Sequence, residues 1–511
     1  MISKGYFIKQ KFERIIRFIV DIITSNWKSY SLLFLVFFIM YAVYGDNNDI
    51  PVKLTLVLFF IGIFLISISK VRIEYRTAIF ILITGIASAC LSPINDIPDE
   101  PVHYQRSLFL SEGDLNLSNN SKNLLESEDF IHIDKETGLP IQKSKLRNIS
   151  PSKMEIANER LTVTNAYYIF GYLPQAIGLK IGNILDISII FSYLLGRIFN
   201  VIAYAILIFI AVKVSGKLAQ IISVSSLLPM NIYLAGSYNQ DALGLGIILL
   251  IFSLLAYFYQ EVNKISIWKI FIYIFLCALL ATIKLPFILL IFPLLFIPNK
   301  KFNIGSKKLY LIKALGIFLV VLVAIFWMKT YSEIVNVNYL NVDYLANVDA
   351  KRQVLSIINQ PFVYFKVLLG EFFMRLLNPA NINLFGWLSY GPTFLISYLI
   401  LFLVMVVFNN ANKVNVGVLE RSILFIVIIG LYAGIILAMY LTWTPVGEFK
   451  VEGVQDRYVL GIIPGLLIFM TVNNKRLDNF RDFISEKIIL DISLCFIYTM
   501  LLSTVFNYYN F

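Results

Sequence analysis

SIIFSYLLGRIFNVIAYAILIFIAV, residues 188–212, sets the fold of this chain. At 1.5 Å of rise per residue, about 20 apolar residues cross a hydrocarbon core about 30 Å thick. The stretch exceeds that length and carries a single charged side chain, Arg197. Hydrocarbon offers no partner to bare backbone N–H and C=O groups, so the stretch must be an α-helix that satisfies them internally. Arg197 is too costly to leave alone at that depth. It requires an acidic partner, a lipid phosphate or a water-filled cavity.

Comparable blocks recur on both sides. They lie at about 30–45, 52–69, 77–94, 218–236, 240–259, 267–282, 285–298, 309–331, 392–408, 421–442, 458–473 and 488–508. The reading is an all-α polytopic membrane protein with about 13 transmembrane helices and large extracytoplasmic loops. Composition agrees: 58% of the 511 residues are hydrophobic and 15% charged, with a mean hydropathy of +0.76, whereas a soluble domain is nearer a quarter charged.

The net charge of +11 does not point to nucleic acid. The basic residues concentrate in short loops between apolar blocks, including Lys213/Lys217, Lys300/Lys301, Lys413/Arg421 and Lys475/Arg476. That is the positive-inside pattern, and it places the N-terminus in the cytoplasm. Residues 1–28 read as a basic amphipathic helix on the cytoplasmic face, and 29–94 as the first three spans. A large extracytoplasmic loop with interfacial helices follows at 95–187, then spans at 188–331. A second extracytoplasmic region covers 332–391, and 392–511 hold the C-terminal spans. Within the second region, residues 361–377 are amphipathic and read as an interfacial or re-entrant helix. Cys90, Cys277 and Cys495 lie far apart inside apolar blocks and read as core residues rather than a disulfide framework. Only two histidines are present, which disfavours a multi-His metal site.

Four segments at the extracytoplasmic face carry candidate chemistry. NDIPDEPVH, residues 95–103, gathers Asp96, Asp99, Glu100 and His103 just beyond a span, with Pro98 and Pro101 stiffening the chain around the acids. Its alternative is an acidic solvated loop. SYNQDAL, residues 237–243, puts Asp241 at the outer end of a span, where Asn239 or Ser237 can instead serve as a helix cap. Lys284 in ATIKLPF splits two short apolar blocks and fits either an anionic phosphate or a snorkelling role. Arg457 in TPVGEFKVEGVQDRY, residues 444–458, can grip a phosphate with two N–H groups or pair with Asp456 or Glu452.

PDEPVH after an early span resembles the signature of a bacterial family of predicted membrane proteins, domain of unknown function 2142. YLPQAIGLKIG, LLGRIFN, SYNQDAL, KLPF, FGWLSYGP and GVQDRY resemble further stretches of that family in the same order over about 95–470. The chain departs from the pattern at Asp456, where the resemblance implies Gly.

The family looks similar to the GT-C class of glycosyltransferases. That similarity implies a GT-C-like fold in the bacterial cell membrane. It implies an enzyme that moves a sugar from a polyprenyl-phosphate carrier to a cell-surface glycan or lipid-linked acceptor at the extracytoplasmic face. Asp99, Glu100 and His103 would be the catalytic group, with Asp99 as general base. They are also the set that would hold a divalent cation, Mg or Mn, if one is used. Arg457, Lys284, Asp241, Arg197 and Tyr458 would bind the substrate. A glycan-lipid transporter or flippase, and a glycan polymerase or ligase, are the alternatives. The partners would be the lipid-linked donor, the glycan acceptor and membrane lipids, and no nucleic acid.

Overall fold

The computed structural model describes residues 2–45, 51–113, 115, 125–152, 154–156, 168–261, 264–338, 347–377 and 380–509. The side chains of residues 1–16, on which most of the basic N-terminal reading rests, lie outside the described residues, as do 157–167 and 339–346 of the two large loops. The chain is almost wholly helical. It begins with α1 (Ile2–Tyr44), α2 (Val52–Ser67), α3 (Ile73–Leu91), α4 (Glu100–Ser111), α5 (Asp129–Lys135) and α6 (Leu173–Ile184). The middle holds α7 (Ile189–Val214), α8 (Ala219–Ser226), α9 (Pro229–Ala235), α10 (Asp241–Gln260), α11 (Ile267–Ile283), α12 (Pro293–Phe296) and α13 (Ser306–Asn338). The last third holds α14 (Ala350–Asn359), α15 (Pro361–Leu377), α16 (Ile396–Asn409), α17 (Val418–Thr442), α18 (Ile463–Thr471) and α19 (Glu486–Tyr508). Two three-residue strands, β1 (Leu125–Ser127) and β2 (Met154–Ile156), pair antiparallel in the first large loop.

Among the described residues, seven helices are long and apolar enough to cross a membrane: the Val20–Tyr44 part of α1, α3, α7, α10, the Ser306–Thr330 part of α13, α17 and α19. The expected span at 218–236 is a helix pair, α8 and α9, bent by 71°. Pro229 has no N–H to continue the ladder, and Asn231 Nδ2 donates to the stranded carbonyl of Ser225 at 2.8 Å. Four more expected spans are shorter apolar helices. The one at 285–298 runs as a 3-10 helix, Leu285–Ile291, before α12, with Pro286 and Pro293 at its two breaks. The block at 458–473 contains only the nine-residue α18 and is too short to cross as a straight helix. Where about 13 spans were expected, the described residues thus show seven long apolar helices, one bent pair and four shorter apolar helices. At 218–236, 285–298 and 458–473 the physical reason is proline, which breaks or shortens blocks whose hydropathy alone reads as a span.

α10 and α19 are the inner helices, with 89% and 83% of their apolar windows buried, whereas α1 and α13 are peripheral at 17% and 28%. α7 packs against α3, α6 and α10. Its contact with α6 is close because the crossing is lined by glycine. A Cβ on Gly178 would lie 2.6 Å from the Leu195 carbonyl oxygen, and one on Gly182 would lie 2.4 Å from Ser192 Oγ. Small residues let helix backbones approach in this way. Gly178→Ala should push α6 off α7 at a cost of about 1–3 kcal/mol. A lowered thermal unfolding midpoint in detergent checks this, and a wild-type midpoint would show that the crossing has slack.

One end of the bundle is basic. Lys301 Nζ donates to the Phe258 and Tyr259 carbonyls at 2.9 and 2.8 Å, closing the C-terminus of α10. Lys413 pairs with Asp482 at 2.7 Å, and Lys487 donates to the Ser25 carbonyl at 2.7 Å. The opposite end gathers the C-termini of α3, α11 and α19 with the N-termini of α7 and α10. The candidate residues lie there.

Candidate functional site

The NDIPDEPVH segment follows directly on α3. Pro93 and Pro98 cannot donate to a helix ladder, and Asn95 and Asp99 adopt left-handed backbone at φ 57° and 66°. Asn and Asp tolerate that region better than most residues. The result is a tight, mostly buried turn that enters α4 at Glu100.

Its acids have separate fates. Glu100 is fully buried and accepts from Arg197 Nε at 2.9 Å and Nη2 at 2.8 Å. The backbone N–H groups of Tyr238 and Ile97 also donate to it, at 2.9 and 3.4 Å. Arg197, equally buried, donates in addition to the carbonyls of Ala89, Ser92 and Pro93 at 3.2, 2.9 and 2.7 Å. It thus closes the C-terminal end of α3 while it pairs with Glu100, which suits a cation at a helix C-terminus. The acidic partner that Arg197 requires is Glu100. Both side chains are fully buried and pair with each other, so between them they hold the turn to the end of α3.

Asp96 is held by three tyrosines. Tyr233 and Tyr390 donate to Oδ2 at 2.6 and 2.8 Å, and Tyr508 to Oδ1 at 2.6 Å. Burial pushes its carboxyl above the usual carboxylate range, and the three hydroxyls partly restore it. Asp96 stands outside the catalytic group that the family resemblance implies. Its partners lie in α9, the FGWLSYGP turn and α19, and no local spacing connects them.

Asp99 differs from both. Its side chain is 41% exposed, and Arg457 Nη2 lies 3.0 Å from its Oδ2. Arg457 Nη1 also donates to the Pro98 carbonyl at 3.4 Å. The partner of Arg457 is therefore Asp99, across the site, and not Glu452 or Asp456 beside it. Asp456 lies 3.9 Å from Arg375 of α15, which in turn pairs with Glu371. Lys284, at the C-terminal break of α11, meets Asp241, the first residue of α10, at 3.0 Å. Asn239 also fulfils the capping alternative, accepting from the Ala242 N–H at 2.9 Å. The Tyr458 ring joins the two ion pairs: Lys284 Nζ lies 5.7 Å and Arg457 Cζ 5.5 Å from its centroid. Cations within about 6 Å of a tyrosine face are attracted to it.

His103 is buried against this cluster, with Nδ1 2.7 Å from the Tyr172 hydroxyl. Burial lowers its pKa from 6.5 to about 4; Asp99 and Asp241 oppose the shift and Arg457 adds to it. His103 is therefore neutral at neutral pH. The unfolded chain takes up this proton as pH falls below 6.5, while the folded chain resists it until about 4. Stability from this group is complete above pH 6.5 and is lost between 6.5 and 4, on the order of 2–3 kcal/mol. Unfolding midpoints across that range should fall more steeply for wild type than for His103→Gln. Parallel curves would remove this role.

Asp99, Glu100 and His103 do not make a ligand set for a cation. Both Glu100 oxygens are taken by Arg197 and backbone N–H groups, and His103 Nδ1 is taken by Tyr172. Among the described residues no group of three or more His, Cys, Asp or Glu side chains is placed to hold a metal ion. The three cysteines are free.

The family model described as Predicted membrane protein (DUF2142) matches residues 82–466. The chain belongs to this family. No curated protein and no solved structure matched the chain. The DUF2142 match runs from within α3 into the first turn of α18, so it includes the acidic segment and both ion pairs. Of the eight residues singled out in sequence, this DUF2142 protein brings six together: Asp99, His103, Asp241, Lys284, Arg457 and Tyr458. Glu100 and Arg197 form the buried support beneath them. Tyr172 and the Asp96 tyrosines were not anticipated.

Proposed function

We propose that this protein is a membrane glycosyltransferase of GT-C type, taking a sugar from a polyprenyl-phosphate carrier at the extracytoplasmic face of a bacterial cell membrane. The basic end of the bundle is then cytoplasmic, together with the N-terminus, and the cluster faces the other side. The observation that carries the reading is Asp99. It is the one acid of its segment with an accessible carboxylate, and it sits 3.0 Å from Arg457 at the mouth of a cluster holding a second cation, Lys284.

In the proposed reaction an acceptor hydroxyl gives its proton to Asp99 as its oxygen attacks the anomeric carbon. The bond from that carbon to the phosphate oxygen breaks, and the electron pair leaves on the carrier phosphate. Protonation of Asp99 removes the charge that holds Arg457. Its guanidinium is then released to the phosphate at the moment negative charge develops there, with Lys284 close by. Tyr458 keeps the two cations adjacent, and Asp241 orients Lys284 and a sugar hydroxyl. Glu100, Arg197 and Asp96 fix the turn that presents Asp99.

Purified protein in vesicles, given a polyprenyl-phosphate sugar and a glycan acceptor, should release polyprenyl phosphate in step with sugar transfer. Movement of intact donor between leaflets with no release would establish the flippase reading in its place.

A further inference from the structure

The FGWLSYGP turn is built onto the acidic segment. The Phe385 N–H donates to the Tyr390 carbonyl at 2.7 Å and closes the turn. The Gly386 N–H donates to the Tyr233 hydroxyl at 2.8 Å. The hydroxyls of Tyr233 and Tyr390 both donate to Asp96. Asp96 thus ties this turn to the segment that presents Asp99. Within the turn Leu388 adopts left-handed backbone at φ 57°, which is uncommon for a bulky residue. Such strain persists where the surroundings over-determine it, often beside functional sites.

Trp387 stands at the tip of the turn. It is 57% exposed, and its Nε1 donates inward to the Asn95 carbonyl at 3.2 Å. Its neighbours Gly386 and Leu388 line a crevice together with Pro98 and Arg457, so the indole lies beside the Asp99–Arg457 pair. An indole has one donor and no acceptor. With that donor spent on the acidic segment, Trp387 turns only apolar ring surface outward. A tryptophan serving a membrane interface is oriented the other way, with its N–H at the wet end. A pyranose ring complements the surface that Trp387 shows: its C–H groups form an apolar face that packs on the negative face of an aromatic ring, and its hydroxyls lie around the edge.

We propose that Trp387 is a stacking platform that holds a pyranose ring of the acceptor glycan, so that one of its hydroxyls reaches Asp99. The proposal rests on the proposed function for calling that glycan the acceptor, and it adds the residue that holds it. It also accounts for the knot of tyrosines on Asp96: the knot fixes platform and base to one another.

The test is saturation-transfer NMR on the full-length protein, in a detergent without a sugar headgroup, titrated with maltotetraose, chitotetraose or mannotetraose. Wild type should bind at least one of the three. Trp387→Leu should weaken that binding by about tenfold or more, as loss of a central aromatic contact does. Trp387→Phe, which keeps a ring, should retain most of it. If Trp387→Leu does not fold, oxidation of wild-type protein by N-bromosuccinimide, read by mass spectrometry, serves instead: the bound saccharide should protect Trp387. Failure of all three saccharides to bind wild type, undiminished binding by folded Trp387→Leu, or oxidation unchanged by saccharide would overturn the proposal. Protection that comes from phospholipid nanodiscs and not from saccharide would make Trp387 a membrane anchor and overturn it too. Binding is read without turnover, so saccharide held by Trp387 in a protein that transfers no sugar would sink the proposed function alone. Sugar transfer by a protein whose saccharide binding ignores Trp387 would sink this proposal alone.

Discussion

Arg197→Ala should abolish accumulation of the folded protein, not merely slow its reaction. The substitution leaves Glu100 buried with two backbone N–H donors and no counter-charge, and it strips the Ala89, Ser92 and Pro93 carbonyls of their donor. Breaking a buried ion pair from one side costs about 3–5 kcal/mol, against a total stability of typically about 5–15 kcal/mol. Arg197→Lys should be nearly as harmful, because a single ammonium cannot reproduce the planar fork. Arg197→Ala combined with Glu100→Gln should recover part of the loss, since the orphaned charge is then gone. Monodispersity in detergent and the thermal midpoint are the readouts. A folded Arg197→Ala protein with wild-type stability would show that the clamp is not what holds α3, α4 and α7 together.

This clamp also shows what a sequence of this kind reveals. Residues 188–212 dictate a membrane helix, and a charge inside it dictates a partner. That Glu100 is the partner follows only once the turn after α3 brings the first residue of α4 to Arg197. Local proline and glycine effects were the harder part of the fold. The blocks at 285–298 and 458–473 have the hydropathy of spans, yet Pro286, Pro293 and Pro464 break or shorten them. Hydropathy averages over a window, whereas the missing proline N–H acts at one residue.

The site divides in the same way. Charge sign and position at helix ends brought Asp99, Asp241, Lys284 and Arg457 into view, because an ionisable residue near membrane depth needs a reason to be there. The sequence did not show which acid stays accessible. Asp96, Asp99 and Glu100 look alike in NDIPDEPVH. Their difference lies in Tyr233, Tyr390, Tyr508 and Arg197, which arrive from distant helices. The departure at Asp456 is now placed: it faces Arg375 of α15 and leaves Arg457 to Asp99.

The second large effect is expected at Asp99, and it is of the opposite kind. Asp99→Asn keeps the shape of the side chain at a partly exposed position, and its amide oxygen can still accept from Arg457, so stability should fall far less than in Arg197→Ala. The rate should fall by about 10²–10⁴-fold, the usual contribution of a positioned general base. Arg457 stays in place but loses the charge whose neutralisation would release it. Arg197→Ala should therefore fail as a protein, and Asp99→Asn should fail as a catalyst.

The most direct measurement is single-turnover release of polyprenyl phosphate from a polyprenyl-phosphate sugar, with acceptor present, by wild type and by Asp99→Asn protein of matched thermal midpoint. The account predicts release by wild type and a loss of about 10²-fold or more in the variant. Equal release by the two proteins would contradict it.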